Sequence, residues 1–533
     1  MSEGGGGNQG GGRGSGGGDR GSGHGSGGGQ RGGGHGSGGG QRGGRGSGGP
    51  AQGRGSRDRG HRPDSQRTSS RPSERSRGSD PARRAAYDVL RSVAATDAYA
   101  NLVLPPVLTE RQIRGRDAAF ATELTYGTLR MQGRYDAIIA HASRRDVTSL
   151  DAEVLDVLRL GAHQVLGMRV PGHAAVSETV GLARSTCGTG PSQLVNAVLR
   201  RITERSLAEW LDLIGADAAD ETARLAAVHS HPAWVVRAMR SALAQTGAGD
   251  SDLEALLEAD NASPSVNLVV RPGLAEPEDV PDADPGRWAP TALVLRGGDP
   301  GAIGAVRSGR IGVQDEGSQL VALAAAAVPV EGPDRTWLDL CAGPGGKAAL
   351  SAALLAQRAP DGLFVANEVA DHRARLVEQS MTAVRGLLPG IEVRTGDGRE
   401  VGNTEPGRYD RVLVDVPCTG LGALRRRPES RWRRSPADLA TLGQLQRELL
   451  TSALAATRPG GVVAYVTCSP HLAETRFVVE DVLKRHDGAT LLDAVEVLAG
   501  VSAEPLGDLD GPYVQLWPHR HGTDAMFLAL IRS

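Results

Sequence analysis

The chain has 533 residues, a net charge of −2 and four cysteines, Cys187, Cys341, Cys418 and Cys468. Four thiols in so long a chain, with no C-x-x-C pair, exclude a disulfide framework and the common zinc modules, so no metal is expected. No apolar run reaches membrane-spanning length, and the Gly-rich start lacks the basic-then-apolar order of a secretory leader. A cytoplasmic protein with no membrane partner is expected.

Residues 1–80 are Gly, Ser and Arg, with 13 Arg against 6 Asp and Glu; this net of +7 leaves −9 for the remainder. Such a stretch buries too little apolar surface to offset its chain entropy, so a disordered tail is expected. Its arginines suit a non-specific RNA tether; a solubilising linker is the plainer reading.

From residue 81 the texture changes. "PARRAAYDVLRSV" sets Ala85, Val89, Leu90 and Val93 on one helical stripe, and further segments follow, such as "AEVLDVLRLGAHQVLGM" and "PSQLVNAVLRRITE". Breaks at Pro, Gly and Ser separate them, which predicts an all-helical region over 81–214. Residues 215–310 read as a small α/β module, with helices in "HPAWVVRAMRSALAQ" and "DLEALLEADN" and strands in "SVNLVVRP" and "TALVLRG". Over 311–533 strands and helices alternate. The strands are "RTWLDL", "GLFVANE", "IEVRTGD", "RVLVDVP" and "GGVVAYVTCS". This order predicts an α/β domain with a parallel, doubly wound sheet, whose ligands sit beyond the carboxyl ends of the strands.

The first of these strands runs into Cys341-Ala342-Gly343-Pro344-Gly345-Gly346-Lys347 and then a helix. A triphosphate loop needs GxxxxGK[ST]; Cys341 and Ala348 fail it at both ends. A dinucleotide loop needs GxGxxG, and Gly343-Pro344-Gly345-Gly346-Lys347-Ala348 matches only if Ala stands in for the last glycine, so that reading stays open on the motif alone. Acids at successive strand ends weigh against it. Glu368 can accept from ribose hydroxyls, Asp397 from an adenine amine, and Asp415 follows on the next strand. Together they suit an adenosyl ligand without phosphates, though any one of them could be a loop cap.

Cys418 ("VDVPCTGLG") and Cys468 ("YVTCSP") follow two strands that open on the same face. A lone buried cysteine is usually packing, but two at active-face strand ends reverse that balance. A thiolate that adds to C6 of cytosine makes C5 nucleophilic enough to take a methyl group, and Asp415 is placed to hydrogen-bond the base in the adduct. Spacing leaves open which cysteine attacks. The segment "RRRPESRWRRS" (425–435) offers Arg426, Arg427, Arg431 and Trp432 for phosphate contact and base stacking; a solvated basic loop is the alternative.

In this order, "DLCAGPGGK", "DVPCTGLG", "RRRPESRWR" and "TCSP" resemble the RsmB (Fmu/Sun) subfamily of S-adenosylmethionine-dependent RNA cytosine-5 methyltransferases, as do "IGVQDEGSQLVA" and "HGTDAMFLALI". Residues 81–210 resemble the NusB-type RNA-binding domain that precedes the catalytic domain there. Ala348, Val416, Thr419 and Glu368 stand where Thr or Ser, Ala, Ser and Asp are more usual. The resemblance implies a Rossmann-like domain that binds S-adenosyl-L-methionine through 341–347, Glu368, Asp397 and Asp415. It implies Cys468 as nucleophile, Cys418 as the aid to product release, and small-subunit ribosomal RNA as substrate of a monomeric enzyme. A tRNA cytosine-5 methyltransferase and a non-enzymatic RNA-binding factor are the competing readings.

Overall fold

In the computed structural model, the described residues are 80–533 apart from Asp97, Ala248 and Asp510. The Gly/Arg-rich stretch expected to be a disordered tether lies outside them, except for its last residue.

Among the described residues, Pro81–Ala216 contain eight α-helices on short connections. The stripe expected in the first is observed: Ala82, Ala85, Ala86, Val89, Leu90 and Val93 are buried. They pack on Leu124, Tyr135, Ile138, Leu158 and Val198 in one core. Helix starts are fixed locally. Asp151 accepts from the Glu153 N–H at 2.9 Å, and Ser206 with Glu209 forms a reciprocal capping box, which satisfies amides that a first turn leaves free.

Helices Glu221–Val228, Ala233–Ala244 and Asp250–Ala259 then lead into a small antiparallel sheet. Its strands are β1 (Val266–Val270), β2 (Ala283–Pro285), β3 (Ala292–Leu295) and β4 (Ile311–Val313), in the order β2-β3-β1-β4. The division expected at 310/311 therefore cuts this sheet, because β4 pairs with β1 through Leu268 and Val313.

The large sheet holds β5 (Thr336–Asp339), β6 (Leu363–Glu368), β7 (Ile391–Thr395), β8 (Tyr409–Asp415), β9 (Thr457–Thr467), β10 (Thr490–Leu492), β11 (Val514–Gln515) and β12 (Phe527–Arg532). Its order is β10-β12-β9-β8-β5-β6-β7, with β11 beside β12. The five strands expected from the sequence are parallel. The sheet as a whole is mixed, since β12 runs antiparallel between β9 and β10. "FLALIR" is apolar on both faces, as a central parallel strand is. Its direction is set by the chain, which enters at the carboxyl end of β9, where Phe527 faces Thr467. From β5 the chain goes first to β6 and β7 and then returns to β8 on the other side. The crevice at that reversal, beyond Asp339 and Asp415, is where an open sheet of this kind takes its ligand.

Candidate active site

β5 ends at Asp339, the loop turns through Gly343 and Gly345, and the helix Gly346–Arg358 begins. Gly345 has φ +110°, and a Cβ there would lie 2.7 Å from the Ser380 side chain. A Cβ on Gly343 would lie 2.3 Å from Glu368 Oε2. Only glycine lets the loop run against that acid, and the Gly343 N–H donates to Glu368 Oε2 at 3.0 Å. Glu368 is 2% exposed. It also accepts from the Ala370 N–H at 3.1 Å and lies 3.3 Å from Arg373, which donates to the Gly343 carbonyl at 2.7 Å. The peptide Gly343–Pro344 is cis, the Pro344 carbonyl accepts from Ser380, and the Ala342 N–H donates to Asn367 O at 2.8 Å. A glycine loop pressed backbone-first against a buried carboxylate at the end of β6 fits the nucleoside part of a ligand.

Asp397 behaves differently from Glu368. It caps the turn Gly398–Glu400 through the Arg399 N–H, and both its oxygens hold the Arg399 guanidinium, at 3.0 and 2.6 Å. Cys341 is kept a neutral thiol, pushed well up by burial and by Asp339 and Asp415. That removes it as a third nucleophile.

Lys347 Nζ donates to Asp415 Oδ2 at 2.8 Å. Burial opposes the lysine charge, and Asp415 outweighs burial, so the lysine pKa is raised. Asp339, 1% exposed, is pushed up to about 7 by burial and by Asp415. Cys418 and Cys468, on the turns after β8 and β9, bring their sulfurs to 3.5 Å. The pair is polarised. A hydrogen bond from Cys418 lowers the Cys468 pKa against the cost of burial, and Lys347 and Arg427 add to the lowering. The Cys418 thiol is driven well above its ordinary value by Cys468 and by burial. Thiolate character therefore concentrates on Cys468.

Residue-type reasoning missed Asp339, Arg373 and Glu474. Asp339 had the same signal as the acids that were named, being an acid at a strand end. Arg373 and Glu474 reach the site from a helix and a turn that follow β6 and β9, and no local pattern marks them.

The expected RNA contacts in 425–435 need correction. Arg431 is 0% exposed. Its guanidinium donates to the carbonyls of Ser230 at 2.9 Å, Asp260 at 3.2 Å and Arg130 at 3.3 Å, and to Asn261 Oδ1 at 2.8 Å. Burial lowers its pKa to about 10. Trp432 packs on the helix Gln132–Ser143: a Cβ on Gly133 would sit 2.4 Å from its ring. Arg431 is not available to RNA, because the helical region lies on the segment and uses it as an internal strut; Trp432 is part-buried against that region. Arg426 stays partly exposed but is bound to buried Asp524, with Nε 3.0 Å from both oxygens. Arg427 lies over Tyr99 at 4.8 Å.

A family model described as "16S rRNA methyltransferase RsmB/F" matches residues 328–532, and one described as "NusB family" matches residues 80–204. The Mycobacterium tuberculosis protein Rv1407, which bears a methyltransferase name, is 52% identical over 462 residues, 86% of this chain and 98% of its own. Ribosomal RNA small subunit methyltransferase B of Pseudomonas syringae pv. tomato is 30% identical over 458 residues, 84% of this chain and 96% of its own. The crystal structure of PH0851 shares the fold, with a TM-score of 0.69 over 85% of this chain and 98% of its own at 22% identity. The chain belongs to the RsmB/F family: it is an S-adenosylmethionine-dependent RNA methyltransferase with an N-terminal NusB-like region.

Proposed function

We propose that the enzyme methylates C5 of a cytosine in 16S ribosomal RNA through a covalent adduct between Cys468 and C6. The observation that carries this reading is the 3.5 Å contact between the two sulfurs beside the Lys347–Asp415 pair. S-adenosylmethionine, when bound, supplies an electrophilic methyl group. The backbone of Cys341–Lys347 and Glu368 would hold it, with Asp397, whose oxygens also hold Arg399, at its adenine end. Cys468, the more acidic thiol, adds to C6. Asp415, steadied by Lys347, meets the N3/N4 edge of the base. C5 of the adduct then takes the methyl group, the electron pair of the broken S–CH3 bond staying on the donor's sulfur. Loss of the C5 proton to a solvent base lets the Cys468–C6 bond break, its electron pair returning to the Cys468 sulfur and the ring to aromaticity. Cys418, the protonated neighbour, assists that release. The target must be unpaired or flipped out for either sulfur to reach it.

The helical region 81–214 and the module 215–310 bind RNA, Arg426 and Arg427 touch its backbone beside the site, and the enzyme works as a monomer in the cytoplasm. The small-subunit substrate is supported by the names of the relatives at about 30% identity. Bisulfite sequencing of total RNA from cells with and without the gene tests the proposal. One 16S cytosine protected only when the gene is present is the expected result. Protection in a tRNA instead would replace the substrate, and protection nowhere would overturn C5 chemistry.

A further inference from the structure

Glu474 ends the short turn Leu472–Glu474 after β9 and is 0% exposed. A carboxylate is stable at such depth only when it is fully hydrogen-bonded. Its donors come from both cysteine turns. It accepts from the backbone N–H of Thr419 at 2.8 Å, from the Thr419 hydroxyl, and from the Ser469 hydroxyl at 2.6 Å. Thr419 directly follows Cys418, and Ser469 directly follows Cys468. Gln446 Nε2 donates to the same carboxylate at 3.2 Å and to the carbonyl of Pro417, the residue before Cys418, at 2.8 Å. Tyr465 OH fixes the Glu474 backbone by donating to its carbonyl at 2.7 Å.

We propose that Glu474 is a positioning residue for methyl transfer: its carboxylate ties the turn after Cys418 to the turn after Cys468 and so holds the two sulfurs in contact. This rests on reading the two cysteines as the reacting pair. β8 and β9 bring the turns near each other, the Gly422 N–H donates to the Cys468 carbonyl at 2.8 Å and the Thr419 and Ser469 hydroxyls lie 3.2 Å apart; the carboxylate adds a buried charged link between the residues that directly follow the two cysteines. Its charge has a second effect in the same direction. It opposes a thiolate on Cys418, which leaves the proton there and the negative charge on Cys468 beside Lys347.

The test separates sulfur contact from catalysis. In the full-length protein without RNA, diamide takes two electrons and two protons from a pair of touching thiols as an S–S bond forms. The rate of the Cys418–Cys468 cross-link, followed by peptide mass spectrometry, therefore reports their juxtaposition. Glu474→Ala is expected to slow this cross-link at least ~10-fold and to lower kcat ~100-fold, the scale of a misplacement of about 1 Å, with the Kd for S-adenosylmethionine within ~2-fold. Glu474→Gln keeps an acceptor for the Thr419 N–H and should retain most of the cross-linking rate. If Glu474→Ala does not fold, Ser469→Ala removes one arm of the clamp and should slow the cross-link by itself. A wild-type cross-linking rate in a folded Glu474→Ala protein, or in Ser469→Ala where that protein cannot be made, overturns the proposal. If Cys468→Ala still methylates RNA, the reading of the reaction fails, and the cross-linking rate alone then decides whether Glu474 clamps the turns.

Discussion

The cysteine turns and the arginine-rich segment both carry reactive or charged side chains, and the fold uses them in opposite ways. The turns after β8 and β9 hold Cys418 and Cys468 half-buried, with sulfurs in contact and a lysine–aspartate pair alongside. The segment 425–433, seven residues after Cys418, turns one of its expected RNA contacts inward, where Arg431 binds backbone carbonyls of the helical region and of the helices that follow it. Residue type is no guide here. A fully buried guanidinium with four protein acceptors is structural; a thiol beside a cation and a second thiol is poised for chemistry.

The sharpest break between the two would come from single substitutions. Cys468→Ala is expected to abolish methylation, measured as methyl incorporation from labelled S-adenosylmethionine, with the melting temperature nearly unchanged. Cys418→Ala should trap a protein–RNA adduct that survives denaturing electrophoresis. If Cys468→Ala traps the adduct and Cys418→Ala does not, the two roles are exchanged. Arg431→Met should do the reverse of Cys468→Ala. It orphans several buried carbonyls and should lower stability by about 3 kcal/mol in denaturant titration, while the folded fraction keeps its RNA affinity. A loss of RNA affinity without a loss of stability would restore Arg431 as an RNA contact. Arg427→Ala is the counterpart on the surface and should weaken RNA binding with little change in stability.

A smaller effect concerns pH. The Cys468 pKa is lowered by the hydrogen bond from Cys418, so at neutral pH more of it is thiolate than of an ordinary cysteine. Its alkylation by iodoacetamide should therefore have a midpoint below that of a free thiol. Removing the donor in Cys418→Ala should move that midpoint to higher pH. A downward move would mean that the proton sits on the other sulfur. The smallest effect belongs to the Arg-rich stretch. Deleting residues 1–80 should raise the RNA KM, more steeply as salt falls, and leave kcat alone. An unchanged KM at every salt concentration would leave only a linker role.

Much of this was legible in the sequence because it is written in local pattern. Period-3.6 stripes marked the helices from Pro81 onward, and apolar runs ending in acids marked the strands that carry Glu368 and Asp415. The glycines at 343 and 345 marked a loop pressed against another group, which proved to be Glu368 and Ser380. What escaped depends on long-range arrangement. The reversed direction of β12 is set by where the chain enters it. The burial of Arg431 is set by residues 170 to 301 positions away. Glu474 is visible as a clamp only once both turns are in place.

One consequence follows for where this protein can be cut. Leu421, Leu424 and Trp517, all from the catalytic part, share a single apolar core with Leu225, Val236, Met239 and Leu256 from the helices before the small sheet. A fragment starting near residue 311 would lose nine of the twelve buried residues of that core and all of the acceptors of Arg431. It would expose the apolar side chains of Leu421, Leu424 and Trp517 and strand the charge of Arg431, thirteen residues after Cys418. The catalytic part is thus a dependent folding unit, and its expression alone should give aggregating protein, whatever the state of its cysteines.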